Sequence, residues 1–210
     1  CDDSVLRLTF NPFSQQAIQL PKEMSDVKFA TLFTHPSKKG SEIKRAFNEL
    51  AFVAREVVPR LVPKNWQDNW ENVAMELPEK MSREEIVSRW PNECLVFEKM
   101  YPTLFDINFE IKVANRFRFA MRELERSKRM QSLLTSGNCT AEQIGIIMND
   151  AWVDAGELYG IRTAEMDRFA DKARDIGGVH GIKVMGAGFG GNLLLLTDKD
   201  VDLSSLGDDR

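Results

Sequence analysis

Six consecutive residues, Gly186-Ala187-Gly188-Phe189-Gly190-Gly191, carry the clearest chemical signal in the sequence. Four glycines in six positions exceed the needs of a simple β-turn, which requires positive φ at one or two residues. Without a Cβ, such a backbone lets a phosphate or another chain segment approach closely. The usual phosphate-binding glycine loop joins a strand to a helix, so that the anion meets helical N–H groups. Here apolar, strand-like runs flank the cluster on both sides, at 182–185 and 193–196. A structural turn between two core strands and a ligand-side loop both satisfy this composition. The connection is too short for a parallel crossover, so the two runs are expected to pair antiparallel.

Charged residues offer two weaker candidates. Arg116, Arg118, Glu123 and Arg126 alternate along one helix-periodic stretch, with Arg122 and Glu123 close to Arg126 at helical spacing. Pairs of this kind usually sit on a solvated face and contribute a few tenths of a kcal/mol. That is the reading the spacing favours, and an anion site is the alternative. Lys38-Lys39-Gly40-Ser41 puts positive charge beside a helix start, where a phosphate could sit. It lacks the glycine-rich body of a Walker loop and reads as a surface loop.

Composition narrows the field. The 210 residues include 28 Lys plus Arg against 32 Asp plus Glu, a formal charge of −4. That balance gives no general case for nucleic-acid binding. Cys1, Cys94 and Cys139 form neither a disulfide framework nor a zinc pattern, which points to a reducing, cytoplasmic setting. His35 and His180 are the only histidines, so a histidine-rich metal site is excluded and no metal ligand is assigned. No apolar stretch reaches transmembrane length, and no signal peptide is evident. The first residue is Cys1 rather than Met, read as processing or as a start within a larger protein.

The elements that must position these residues follow from periodicity. Residues 5–10 and 16–20 read as strands pairing across Asn11-Pro12-Phe13-Ser14, and 27–33 as a firmer strand. Ile43, Phe47, Leu50, Ala54, Val57 and Leu61 recur with helical period, and Pro59 should end or kink that helix. The stretch 63–112 is divided by Pro78, Pro91 and Pro102, with a capping box at Ser82-Arg83-Glu84-Glu85. A long charged helix is expected over 115–134. Another is capped by Thr140 and Gln143, with Ile144, Ile147, Met148, Ala151, Ala155 and Leu158 on one apolar face. A third starts at Thr163 and stops at Gly177-Gly178. Trp66, Trp70, Trp90 and Trp152 are assigned to packing. The acidic tail 198–210 is expected to fray. Helices packed on a mostly antiparallel sheet make an α+β fold.

The stretch Gly181-Ile182-Lys183-Val184-Met185-Gly186-Ala187-Gly188-Phe189-Gly190-Gly191 resembles the third, C-terminal motif of the GHMP small-molecule kinases. Its aromatic residue is most similar to the galactokinase branch. Arg116-Phe117-Arg118-Phe119-Ala120-Met121-Arg122-Glu123-Leu124-Glu125-Arg126 resembles that branch's R-x-R-H-x-x-x-E-x-x-R helix, with Phe119 where histidine is usual. The segment from Gly160 through Arg162, Thr163 and Asp167 to Phe169 looks like the lead into the family's penultimate helix. His35 followed by Ser41-Glu42-Ile43-Lys44-Arg45 resembles its entry to the first C-terminal helix. The four stretches occur in the family's order and extend over nearly the whole chain.

This resemblance implies part of an ATP-dependent sugar kinase that uses Mg²⁺ and transfers the γ-phosphoryl group to a sugar hydroxyl. Residues 1–35 would be strands of an N-terminal kinase domain, and 36–210 the ferredoxin-like C-terminal domain. The family's Gly/Ser-rich phosphate loop and catalytic aspartate would precede Cys1. No catalytic residue is therefore assigned, Asp2 and Asp3 included, and the chain by itself is expected to be inactive. The missing N-terminal kinase region and a small sugar are the implied partners, with neither nucleic acid nor membrane. Gly186, Ala187, Gly188, Phe189, Gly190 and Gly191 would line the active-site cleft. Ile43, Lys44, Arg118, Glu123 and Arg126 would lie near the substrate or support groups that touch it. Ile43 and Lys44 stand where the family usually has tyrosine and asparagine, and losing that hydroxyl opens the way to a sugar or sugar acid other than galactose. Two other readings remain: a catalytically silent relative used for sugar sensing or protein interaction, and a stand-alone ligand-binding domain.

Overall fold

A computed structural model describes residues 4–10, 12–37, 40–62, 64, 66–105 and 109–206. The readings placed on Cys1, Asp2, Asp3, Asn11, Lys38, Lys39 and the last four residues of the tail lie outside the described residues. In chain order the strands and helices are β1 (Ser4–Phe10), β2 (Phe13–Gln19), β3 (Val27–His35), α1 (Ser41–Phe52), α2 (Val58–Leu61), α3 (Trp70–Glu76), β4 (Met81–Ser82), α4 (Arg83–Arg89) and α5 (Cys94–Met100). They continue as β5 (Glu110–Ile111), α6 (Val113–Ser136), α7 (Ala141–Glu157), α8 (Ala164–Arg174), β6 (Val179–Val184) and β7 (Gly191–Asp198). All strand pairings are antiparallel, so the α+β class stands.

Helix starts follow the local chemistry. Ser82 and Glu85 form a reciprocal capping box on α4. Thr140 and Gln143 do the same ahead of α7, each binding the other's backbone N–H. The Thr163 hydroxyl accepts the Met166 N–H at the start of α8. Each cap satisfies donors that a helix N-terminus leaves open. Pro59 does not stop its helix. Val53–Val57 widens into a π-type turn in which the Val58 N–H reaches the Val53 carbonyl, and helix then continues to Leu61. Proline removes one N–H and crowds the carbonyl four residues back, and the wider turn accommodates it within the helix.

The chain divides into two compact units, Cys1–Ser37 with Leu124–Val153 and Arg162–Arg210, and Lys38–Glu123 with Asp154–Ile161. The first unit holds a sheet ordered β3-β7-β6 and the hairpin β1-β2. Its pairing Ile182↔Leu195, Lys183↔Leu194 and Val184↔Leu193 is the antiparallel arrangement expected around the glycine cluster. Helix α7 comes closest to β6 at a pair of glycines: a Cβ on Gly145 would stand 2.2 Å from the His180 carbonyl oxygen, and one on Gly181 would stand 2.6 Å from the Gly145 Cα. Asn149 of α7 then accepts the Ile182 N–H at 3.1 Å and donates to the His180 carbonyl at 3.2 Å. Its amide thus serves the edge of β6 as a neighbouring strand would. Ile18, Met24, Leu134, Ile144, Met148 and Leu196 belong to one core of this unit. The tail is anchored at least to Leu206, which is buried in a short 3₁₀ turn.

The second unit is built on Phe52, Phe97, Tyr101 and Phe105, whose rings meet around Phe52 at centroid distances of 5.1–5.6 Å. Trp66, Trp70 and Trp90 pack against the same core, as expected, and Trp152 is buried in the first unit.

Candidate functional site

Between β6 and β7 the chain makes no helix. Gly186, Gly188, Phe189, Gly190 and Gly191 all have positive φ, at 76°, 76°, 57°, 114° and 83°. Among the described residues Phe189 is the one non-glycine in this region. An L-residue there pays a steric cost between Cβ and the backbone, so the surroundings must hold the shape. They do so from two sides. At the end of β3, the Thr34 hydroxyl donates to the Gly191 carbonyl at 2.9 Å, and the Ser37 hydroxyl donates to the Gly188 carbonyl at 3.3 Å. From the first turn of α8, the Met166 sulfur accepts the Gly190 N–H at 3.3 Å.

Gly190 itself is required by packing. A Cβ there would lie 2.8 Å from His35 Nε2 and 3.0 Å from the His35 carbonyl oxygen. Nothing lies within 4 Å of a Cβ built on Gly186 or on Gly191. Packing therefore requires glycine at 190, whereas space is open beside Gly186 and Gly191. Behind the turn, His35 Nδ1 faces Glu165 Oε2 at 3.4 Å and the Thr34 hydroxyl at 3.2 Å. The other histidine, His180, pairs with Asp198 at 2.6 Å across β6 and β7.

The arginine helix corrects the solvated-face reading. Arg116 is buried and meets Glu49 at 2.6 Å, the two side chains being 7% and 10% exposed. It also donates to the carbonyls of Leu158 and Tyr159, at 2.6 and 2.7 Å. Glu49 takes the Lys112 N–H at 2.8 Å. Helical spacing fixes which residues share a face, whereas burial depends on what that face meets. Arg118 meets Glu79 at 3.3 Å and the Ala74 carbonyl at 3.1 Å, which ties the first turns of α6 to α3. Phe119, the residue standing where histidine is usual, lies against Tyr159 with ring centroids 4.6 Å apart.

Ile43, half-buried, and Lys44, exposed, occupy the first turn of α1. They belong with Arg118 and Glu123 to the second unit, whereas Arg126 and residues 186–191 belong to the first. Thr34, His35, Ser37, Glu165 and Met166 escaped sequence reasoning as partners of the turn. The available signal was that His35 opens one of the resembling stretches, and that Glu165 and Met166 lie within another. Among the described residues no group of three or more His, Cys, Asp or Glu could hold a metal ion. Burial pushes the thiols of Cys94 and Cys139 up from their ordinary range, away from nucleophilic use. No helix among the described residues is long and apolar enough to cross a membrane.

No protein-family model matches the chain. Galactokinase of Pyrococcus furiosus is 36% identical over 84 residues, covering 40% of this chain and 23% of that protein. Galactokinase of Staphylococcus saprophyticus is 32% identical over 130 residues, covering 62% of this chain and 31% of that protein. The structure of Lactococcus lactis galactokinase complexed with galactose superposes with a TM-score of 0.63 at 20% identity, over 97% of this chain and 45% of that one. The chain thus spans less than half the length of each of these relatives. It is similar to galactokinases in sequence over part of its length, and shares the α+β fold of one of them over nearly all of it.

Proposed function

We propose that the chain is the C-terminal part of an ATP-dependent sugar kinase, in which residues 186–191 line the phosphoryl-transfer cleft. The observation that carries this reading is the held, strained turn at the family motif, with Phe189 at φ 57°. Strain of this kind persists where the surroundings over-determine it, and such places cluster at functional sites. Open space beside Gly186 and Gly191 fits a bulky anion approaching backbone. ATP with Mg²⁺ would supply the transferable phosphoryl group and neutralise its charge. Catalysis of this type is mainly positioning and electrostatics. Gly186, Ala187 and Gly191 would offer close backbone approach, while Gly188 and Gly190 keep the turn in place. The phosphate loop and catalytic aspartate belong to the N-terminal kinase region, with residues 1–35 as its last strands and 36–210 as the C-terminal domain. A cytoplasmic sugar kinase accords with the sparse cysteines. Ile43 and Lys44, in place of tyrosine and asparagine, favour a sugar or sugar acid other than galactose.

The test is Gly188→Val in the full-length protein, assayed for ATP-dependent phosphorylation over a panel of sugars and sugar acids. A β-branched residue is disfavoured at the φ of 76° found there. Its kcat/KM should fall by about 100-fold, the scale of a misplacement of about 1 Å, with a far smaller effect on melting. Normal kinetics in a folded variant removes the turn from the site. A parent protein that phosphorylates nothing, and lacks the Gly/Ser loop and its aspartate, is the silent relative instead.

A further inference from the structure

The clamp around the turn contains one ionisable side chain packed directly on the glycine backbone, His35. Its ring is mostly covered, at 15% exposure, and its Nδ1 edge faces Glu165. Its opposite edge lies over Gly190, where Nε2 would be 2.8 Å from a Cβ and Cδ2 3.0 Å. Glu165 is shared with Arg168, 3.5 Å away one helical turn on. Glu165 and Met166 are adjacent on α8, so one helical turn orients the imidazole and also receives the Gly190 N–H. A carboxylate facing Nδ1 favours the proton on that nitrogen and fixes the ring's orientation.

We propose that His35, oriented by Glu165, is a positioning residue that holds the glycine turn in the shape the phosphoryl-transfer site needs. The inference rests on the kinase reading for its consequence, but the clamp itself can be tested without catalysis. Among the described residues the turn backbone is held by hydroxyl bonds from Thr34 and Ser37, one N–H to sulfur and this ring, beside the β3–β7 pairing that ends at Gly191. Removing the ring opens a gap directly behind Gly190, and the positive-φ residues then relax toward ordinary conformations. Replacing the Glu165 carboxylate by an amide keeps volume but weakens the hold on the ring.

Hydrogen exchange and steady-state kinetics on the full-length protein, as His35→Ala and as Glu165→Gln, test this. Amides of 188–191 should exchange at least about tenfold faster in His35→Ala, while Leu195 and Leu196 of β7 keep parental rates, the pattern of local rather than global opening. Glu165→Gln, which preserves packing if the alanine variant folds poorly, should show the same local pattern at smaller amplitude. With the turn loosened, kcat should fall about 10- to 100-fold with little change in the sugar KM. Parental exchange at 188–191 in both variants, or equal acceleration throughout β7, overturns the clamp. Faster turn exchange with unchanged turnover upholds the clamp and refutes the catalytic role of the turn, so the two failures are distinguishable.

Discussion

Phe189→Gly tests whether the glycine turn stores strain. At φ 57° an L-residue costs about 1–2 kcal/mol relative to an unstrained conformation, and glycine relieves that cost. Against the relief stand two losses. Full burial of a phenylalanine side chain contributes about 1.5–3 kcal/mol. Phe189 is only half-buried, so roughly half of that amount is at stake. Glycine also gives up about 0.5–1 kcal/mol of unfolded-state entropy on ordering. The opposing contributions nearly cancel, and the stability change should lie within about 1 kcal/mol of zero, whereas phenylalanine truncation in a packed core costs about 3–5 kcal/mol. Urea denaturation of parent and variant, compared at constant m-value, measures this difference. Under the proposed function, phosphoryl transfer by the full-length protein, measured in parallel, should fall because a fifth glycine widens the turn's conformational range. A stability loss above about 2 kcal/mol would refute the reasoning and show Phe189 to be a packing anchor whose burial outweighs its backbone cost.

Two further perturbations probe the scaffold. Arg116→Ala strands the Glu49 carboxylate in the core together with two carbonyls, and should destabilise by about 3–5 kcal/mol. Arg118→Ala, whose partner Glu79 is 69% exposed, should cost below about 1 kcal/mol, and equal effects in thermal denaturation would contradict the burial argument. Asn149→Ala leaves the Ile182 N–H and the His180 carbonyl without their side-chain partner. It should cost about 2–4 kcal/mol, with the fastest new hydrogen exchange at Ile182; unchanged exchange there would show that β6 does not depend on the amide.

Features set by neighbours in the chain were legible without coordinates. The caps at Ser82, Thr140 and Thr163 join residues three apart, so their side chains need no distant partner to act. The antiparallel pairing of β6 with β7 follows from a connection too short for any other arrangement. Apolar periodicity located α1, α7 and α8 because one helical face must be buried whatever it meets. The same logic failed where chemistry depends on the facing surface. Arg116 has the spacing of a solvated helix residue and is among the buried ones. Proline at 59 pointed to an end or kink of its helix, but not to the wide turn over Val53–Val57 that precedes it before the helix ends at Leu61.

The motif 186–191, its flanking strands and the family likeness were determined by the order of residues alone. What the turn is made to do was decided by tertiary structure. Ser37 and Gly188 are 151 residues apart, and Thr34 and Gly191 157 apart, so no local pattern records that they bond. The sheet order β3-β7-β6 brings the end of β3 beside the turn, and α8 supplies Glu165 and Met166 from another direction. Positive φ at Phe189 arises from that enclosure, since an isolated chain would relax a bulky L-residue out of the left-handed region.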